Sequence, residues 1–143
     1  MSVQRMLLVG STVFAQAIAF SGSAIAQEES FDLELNNAAD VEGNCRLTFV
    51  AANNTSFGLT TTSYEVAIFD GEGRVSDLLV LEFGDLPVQK TKVVQFDLPE
   101  KQCEDISRIV VNSAAECISG DDSQGVCMSA ISTSTRTAIE FGI

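Results

Sequence analysis

The residues best placed for covalent chemistry in this 143-residue chain are its four cysteines, Cys45, Cys103, Cys117 and Cys127. Four cysteines admit three pairings, and an even count in an oxidising compartment reads as two disulfides. We favour Cys45–Cys103 and Cys117–Cys127. The first would tie the start of a strand to a distant loop, and the second would close a short polar loop. In the chain-entropy picture such loops are worth roughly 4 and roughly 3 kcal/mol. A zinc site is the alternative. The spacing Cys103-x13-Cys117-x9-Cys127 has no close Cys-x-x-Cys pair, and the chain contains no His, so zinc fits poorly. No two thiols stand close enough in sequence for a redox-active motif.

The lack of His narrows everything else. It removes the Ser-His and Cys-His nucleophile pairs and the commonest metal ligand. Paired carboxylates can still act as acid and base, as in glycosidases. The candidates are Glu100 with Glu104 and Asp105, and Asp121 with Asp122. Both groups sit in polar loop sequence, without the apolar neighbours that raise a carboxyl pKa, so they read as solvated loops. Asp70-Gly71-Glu72 and Asp121-Asp122-Ser123 offer oxygen ligands for calcium on turns, but neither has the spaced acidic pattern of an EF-hand loop. Copper handling needs Met or His clusters, and beyond residue 26 only Met128 remains. The Asn53-Asn54-Thr55 and Asn54-Thr55-Ser56 triplets match a glycosylation acceptor and read here as a turn. The sequence therefore predicts no catalytic residue, no cofactor and no metal ligand.

An oxidising compartment is implied by the N-terminus. Arg5 is followed by a largely apolar, uncharged run from Met6 to Phe20. Ser21, Gly22 and Ser23 then break that run, and Ala24-Ile25-Ala26 supplies the small residues of a cleavage site. The apolar run is shorter than a spanning helix and is interrupted by Gly10, Ser11, Thr12 and Gln16. Residues 1–26 are therefore read as a signal peptide cut after Ala26, leaving residues 27–143 as one domain in the periplasm or outside the cell. No Cys near the cut marks lipidation. All 20 acidic residues lie in that domain, and losing Arg5 leaves seven of the eight basic ones, a net charge of −13. Such a surface repels nucleic acid and anionic membranes. No later segment is long and apolar enough for stable membrane insertion.

The elements that must hold these residues alternate with the period of half-buried strands. Phe31, Leu33 and Leu35 begin a first strand, and a polar loop is expected from Asn36 to Asn44. Cys45, Leu47, Phe49 and Ala51 alternate next, then Tyr64–Phe69. Asp70-Gly71-Glu72-Gly73 is a hairpin signal, because glycine supplies positive φ. Arg74–Phe83 returns with Leu79, Leu81 and Phe83 aligned, and Gly84-Asp85-Leu86-Pro87 is expected to turn the chain. Thr91–Leu98 and Ile106–Asn112 follow. Cys117–Cys127 reads as a loop, Ala114–Cys117 as a single helical turn, and Met128–Phe141 as extended. About seven short strands between Gly, Pro and Asn turns predict an all-β fold, a single immunoglobulin-like β-sandwich. A membrane barrel would need more and longer strands with aromatic girdles.

The runs Cys45-Arg46-Leu47-Thr48-Phe49-Val50, Glu65-Val66-Ala67-Ile68-Phe69-Asp70, Gln95-Phe96-Asp97-Leu98-Pro99 and Cys103-Glu104-Asp105-Ile106-Ser107-Arg108-Ile109 resemble a family of small exported alphaproteobacterial proteins. The likeness runs on to Arg136-Thr137-Ala138-Ile139-Glu140-Phe141-Gly142. Some members carry a twin-arginine export label, from which this chain departs because Arg5 stands alone. Leu86-Pro87 followed by Thr91–Phe96 is similar to a strand-turn-strand of bacterial immunoglobulin-like domains. The resemblance implies a fold but no activity and no site residues.

Two functions from different classes fit these observations. The first is a non-catalytic periplasmic accessory or protein-interaction domain, binding a protein partner through loops or an open strand edge. The edges expected are the first strand, from Phe31 to Asn36, and the last stretch, from Met128 to Phe141. The second is a small-ligand or glycan-binding module. For that reading Phe57 is the one aromatic free to stack on a sugar, provided it lies beside a concave pocket. An enzyme is the poorest fit, because the general bases on offer are so few.

Overall fold

Residues Asn44–Asn53 (β2) illustrate the rule that builds the molecule. Cys45, Leu47, Phe49 and Ala51 are fully buried, while Arg46, Thr48 and Val50 between them are only partly covered. Strict alternation of this kind turns one face of a strand to the core and one to water. The structure, a computed structural model, describes residues 28–120 and 122–143. The signal-peptide reading and the Asp121 half of one carboxylate pair fall outside the described residues.

The remaining strands are β1 (Phe31–Val41), β3 (Leu59–Asp70), β4 (Val75–Leu86), β5 (Thr91–Leu98), β6 (Ile106–Ser119), β7 (Asp122–Ser123), β8 (Ile131–Thr135) and β9 (Glu140–Gly142). A 3-10 turn spans Cys103–Asp105, and one turn of α-helix, α1, spans Val126–Ser129. The strands form two packed sheets. One has the order β5-β2-β1-β8, and the other has β4-β3-β6-β7 with β9 also paired to β6. The fold is the expected all-β sandwich, with nine strands among the described residues rather than about seven.

Aromatic side chains fill the space between the sheets. Phe49 lies edge-on to Phe83, Phe96 and Phe141, at centroid distances of 5.8, 5.9 and 5.3 Å. Tyr64 packs against Phe31 and Phe83. Edge-to-face contacts suit the ring quadrupole and add to the hydrophobic gain of burial.

Several local expectations shift for tertiary reasons. The segment Asn36–Val41 continues β1 instead of looping, because a bulge between Leu35 and Asn37 resets its register against β2. Asn36 sits in that bulge and donates through Nδ2 to the Glu34 carboxylate at 2.7 Å. The turn expected at Gly84–Pro87 starts later. β4 runs on to Leu86, and the Lys90 N–H closes the turn onto the Pro87 carbonyl. Gly84, at φ 74°, marks a bulge within β4, a conformation glycine adopts without strain. Ala114–Cys117 is strand, and the helical turn falls at Val126–Ser129. β1 is not an edge. It lies between β2 and β8, because β8 returns parallel to it, Phe31 opposite Ile131 through Leu35 opposite Thr135. β9 likewise runs parallel to β6.

Candidate functional site

Both disulfides join the pairs favoured by the spacing, Cys45–Cys103 across 58 residues and Cys117–Cys127 across 10. Asp40 stands beside the first pair, and its Oδ1 accepts the Cys103 N–H at 2.7 Å. Three ligand-type side chains thus meet there, but both sulfurs are spent on the bond. The group is a staple with a capped turn.

The carboxylates considered for catalysis do not converge. Glu100, Glu104 and Asp105 are exposed around the turn between β5 and β6, and Asp122 is exposed on β7. Asp70 and Glu72 do not form an open cation site. The Asp70 carboxylate accepts the backbone N–H groups of Arg74 and Glu72 and the Arg74 Nε, at 2.9, 3.0 and 3.2 Å. These bonds, the Arg74 backbone N–H first, hold its pKa below the usual carboxylate range. Glu34, Asp77, Asp85 and Asp97 are also made stronger acids, by hydrogen bonds from Arg136, Lys101, Lys92 and Arg46 respectively. A general acid needs the opposite shift. Burial raises the Tyr64 phenol, which stays protonated and donates to the Cys127 carbonyl at 2.8 Å.

The Asn53–Thr55 turn is a buried latch. Asn53 is fully buried. Its Nδ2 donates to the carbonyls of Phe57 and Leu86, and its Oδ1 accepts the Thr55 N–H and hydroxyl. Phe57 stands on this loop with 40% of its surface exposed. Two open depressions of about 470 and 520 Å³ mark the surface, and Phe57 lines neither. The first sets Arg108, stacked 5.7 Å from the Phe69 ring centroid, between Glu72 and Glu140. The second carries Glu28, Glu29 and Asp32, of which Glu29 and Asp32 already accept from the Ser56 N–H and the Asn54 amide.

Among the described residues β4 is an outer strand of the second sheet, and its free edge carries exposed apolar side chains. Its inward side chains Leu81, Phe83 and Leu86 are buried. On the opposite face Leu78 and Val80 are 57% and 53% exposed, and Val75, before the bulge, is 51% exposed. Cross-strand pairing extends this face inward. Leu78 lies opposite Ala67, Ala67 opposite Val110, and Val110 opposite Gly142, giving an apolar row across four strands. Phe69 beside Val75 prolongs it, with Arg108 and Glu140 at one end. Glu65, opposite Val80, and Glu82 bound the other. Comparison with known protein families, curated proteins and solved structures finds no match.

Natural sheets blunt their edges with Lys, Pro, bulges or inward charges. β4 carries neither Lys nor Pro. It does have two such devices near its start. A register shift occurs between Ile68 and Phe69, and Asp77 is held by Lys101 at 2.7 Å. Between these and the bulge at Gly84, the stretch Leu78–Leu81 carries no charge and no bulge. Sequence reading aligned Leu79, Leu81 and Phe83 correctly but did not single out Leu78 and Val80. The unbroken run Leu78-Leu79-Val80-Leu81 carried the signal, since four apolar residues in a row imply a strand covered on both faces. Here only one face is covered by the other described residues.

Among the described residues no helix is long and apolar enough to cross a membrane.

Proposed function

We propose that residues 27–143 form a non-catalytic periplasmic accessory or protein-interaction domain, exported by the signal peptide of residues 1–26, that binds a protein partner through the β4 edge. The observation that carries this reading is the exposed Val75, Leu78 and Val80 on an edge strand, continuous with Ala67 and Val110. An edge strand offers main-chain N–H and C=O groups for strand addition, and the adjoining apolar row supplies the side-chain contacts that make such binding selective. Two disulfides suit an oxidising compartment. A non-catalytic role is supported by the lack of His and by the lowered pKa of Glu34 and Asp70, which makes those carboxylates weaker bases.

Affinity capture from periplasmic extract tests the reading, using the exported protein and its Val80→Lys variant as parallel baits. A defined protein should be retained by the first and lost from the second. Equal retention by both baits would move the interface away from β4. Recovery of nothing across several growth conditions would remove the interaction reading.

A further inference from the structure

We propose that the occupant of the β4 edge is a second copy of this chain, joined antiparallel about a two-fold axis at Leu79. This rests on the interaction reading of β4 and names its partner. Between Asp77 and Glu82 the pairing of β4 with β3 is unbroken, so the free edge over that stretch is regular. A two-fold antiparallel pair needs a strand that complements its own reverse. Centred on Leu79, Leu78 of one copy lies opposite Val80 of the other, and the same contact recurs through the axis. Leu79 meets Leu79, and Asp77 meets Leu81. No like charges stand opposite each other, which is the condition an antiparallel pair must satisfy. Shifting the centre to Val80 keeps the faces matched but sets Leu78 against Glu82. Centring between residues 79 and 80 sets Asp77 against Glu82 and exchanges the faces.

The strand ends also bring opposite charges together. At this register Glu82 of each strand falls opposite Ser76 of the other, whose hydroxyl accepts from the Lys101 ammonium at 3.3 Å. Leu78, at the end of the row Leu78-Ala67-Val110-Gly142, meets Val80 of the symmetry mate, which joins the two apolar patches and removes the exposed edge between them.

Net charge works against this pair. Each copy is strongly acidic, and the chain as a whole carries −12. Between exposed charges this repulsion fades over about 8 Å at physiological ionic strength. Added salt therefore strengthens association of two copies, whereas it would weaken binding of a basic foreign strand. The contact is small, which makes the pair a weak association.

Sedimentation velocity of the exported protein tests the proposal, at about 5 to 500 μM and at low and moderate salt, a span suited to a weak association. The expected result is a monomer–dimer equilibrium that moves toward dimer with added salt. Val80→Lys and Leu78→Glu should each weaken it about tenfold or more, with the circular dichroism and melting temperature of each variant recorded as evidence of folding. Mixing the two variants should restore dimers, because the ammonium introduced in one would lie opposite the carboxylate introduced in the other. Val93→Lys, on the exposed face of edge strand β5 in the other sheet, should leave the equilibrium unchanged. A protein that stays monomeric across this range overturns the proposal, as does a dimer indifferent to Val80→Lys or one that Val93→Lys disrupts. Failure of the mixed variants to pair overturns the register. A monomer whose periplasmic partner is still lost on Val80→Lys overturns the two-fold pair while leaving β4 as the interaction edge.

Discussion

Along one side of the sandwich the last strands seal the gap between the sheets. Phe141 reaches in to 5.3 Å from Phe49, Arg136 pairs with Glu34 at 2.9 Å, and Tyr64 donates to the Cys127 carbonyl beside the Cys117–Cys127 bond. Along the other side β4 and β5 meet as two edges. There the sheets are bridged by Phe83 against Phe96 and by Lys92 against Asp85, while Leu78, Val80 and Val93 face solvent. The two open edges also differ from each other. β5 interleaves its apolar residues with Lys92, Gln95 and Asp97, and Asp97 is clamped by Arg46 through two bonds of 2.7 and 2.8 Å. β4 presents Leu78 and Val80 with no such guard. The sealed side is held by covalent and buried contacts, and the open side leaves apolar side chains in solvent. Stability and binding should therefore respond to different residues.

The sharpest way to break this contrast is to cut the sealed side. Replacing Cys117 and Cys127 together by Ala should cost about 3 kcal/mol in chemical denaturation, the entropy of a loop of that length. A loss below about 1 kcal/mol would mean that strand pairing alone holds that side. Tyr64→Phe comes next. It deletes one buried hydrogen bond and leaves the Cys127 carbonyl short of a donor, which should cost about 1–2 kcal/mol with the core otherwise unchanged. On the open side, Val80→Lys should shift monomer stability by no more than about 0.5 kcal/mol, the range of ordinary surface changes, while it weakens association. A large loss of monomer stability there would mean that Val80 is packed by its own chain.

The smallest effect concerns pH. Hydrogen bonds from Arg136 and then Asn36 lower the Glu34 pKa from its ordinary 4.5. A carboxyl lowered on folding contributes stability above its unfolded pKa and loses it as pH falls through the folded one. Stability of the parent protein should therefore fall more steeply below pH 4.5 than that of Glu34→Gln, with little difference in slope near neutrality. Denaturant midpoints in the two ranges measure it. Both side chains are solvent-accessible, so the difference should be slight.

The sequence made legible whatever was local. β5 begins at Thr91 and ends before Pro99 as the alternation of Val94, Phe96 and Leu98 required. The Asp70–Gly73 hairpin and both cysteine pairings followed from turn chemistry and spacing. Residues whose role depends on a distant strand were not legible. Asn37, Ala39 and Asp40 look like loop until they are seen opposite Thr48, Arg46 and Cys45, where pairing with β2 holds the segment extended. Which strand is an edge is likewise set by what returns beside it. β1 lost that status because residues 131–135 came back parallel to it. β4 kept it because no later described segment pairs with it, and no local pattern encodes that.

The parallel pairing of β1 with β8 has a consequence for the order of events during synthesis. The Arg136 N–H bonds to the Leu35 carbonyl, and the Thr135 hydroxyl reaches the same oxygen across 100 residues. Contacts of such separation form late, because the intervening loop must close first. β1 can find β2 early, but its other side stays bare until nearly the whole chain is available. A growing chain therefore cannot complete this sandwich from its N-terminal half. The last dozen residues act as a latch on folding, since one side of β1 stays open until residues 131–135 dock along it.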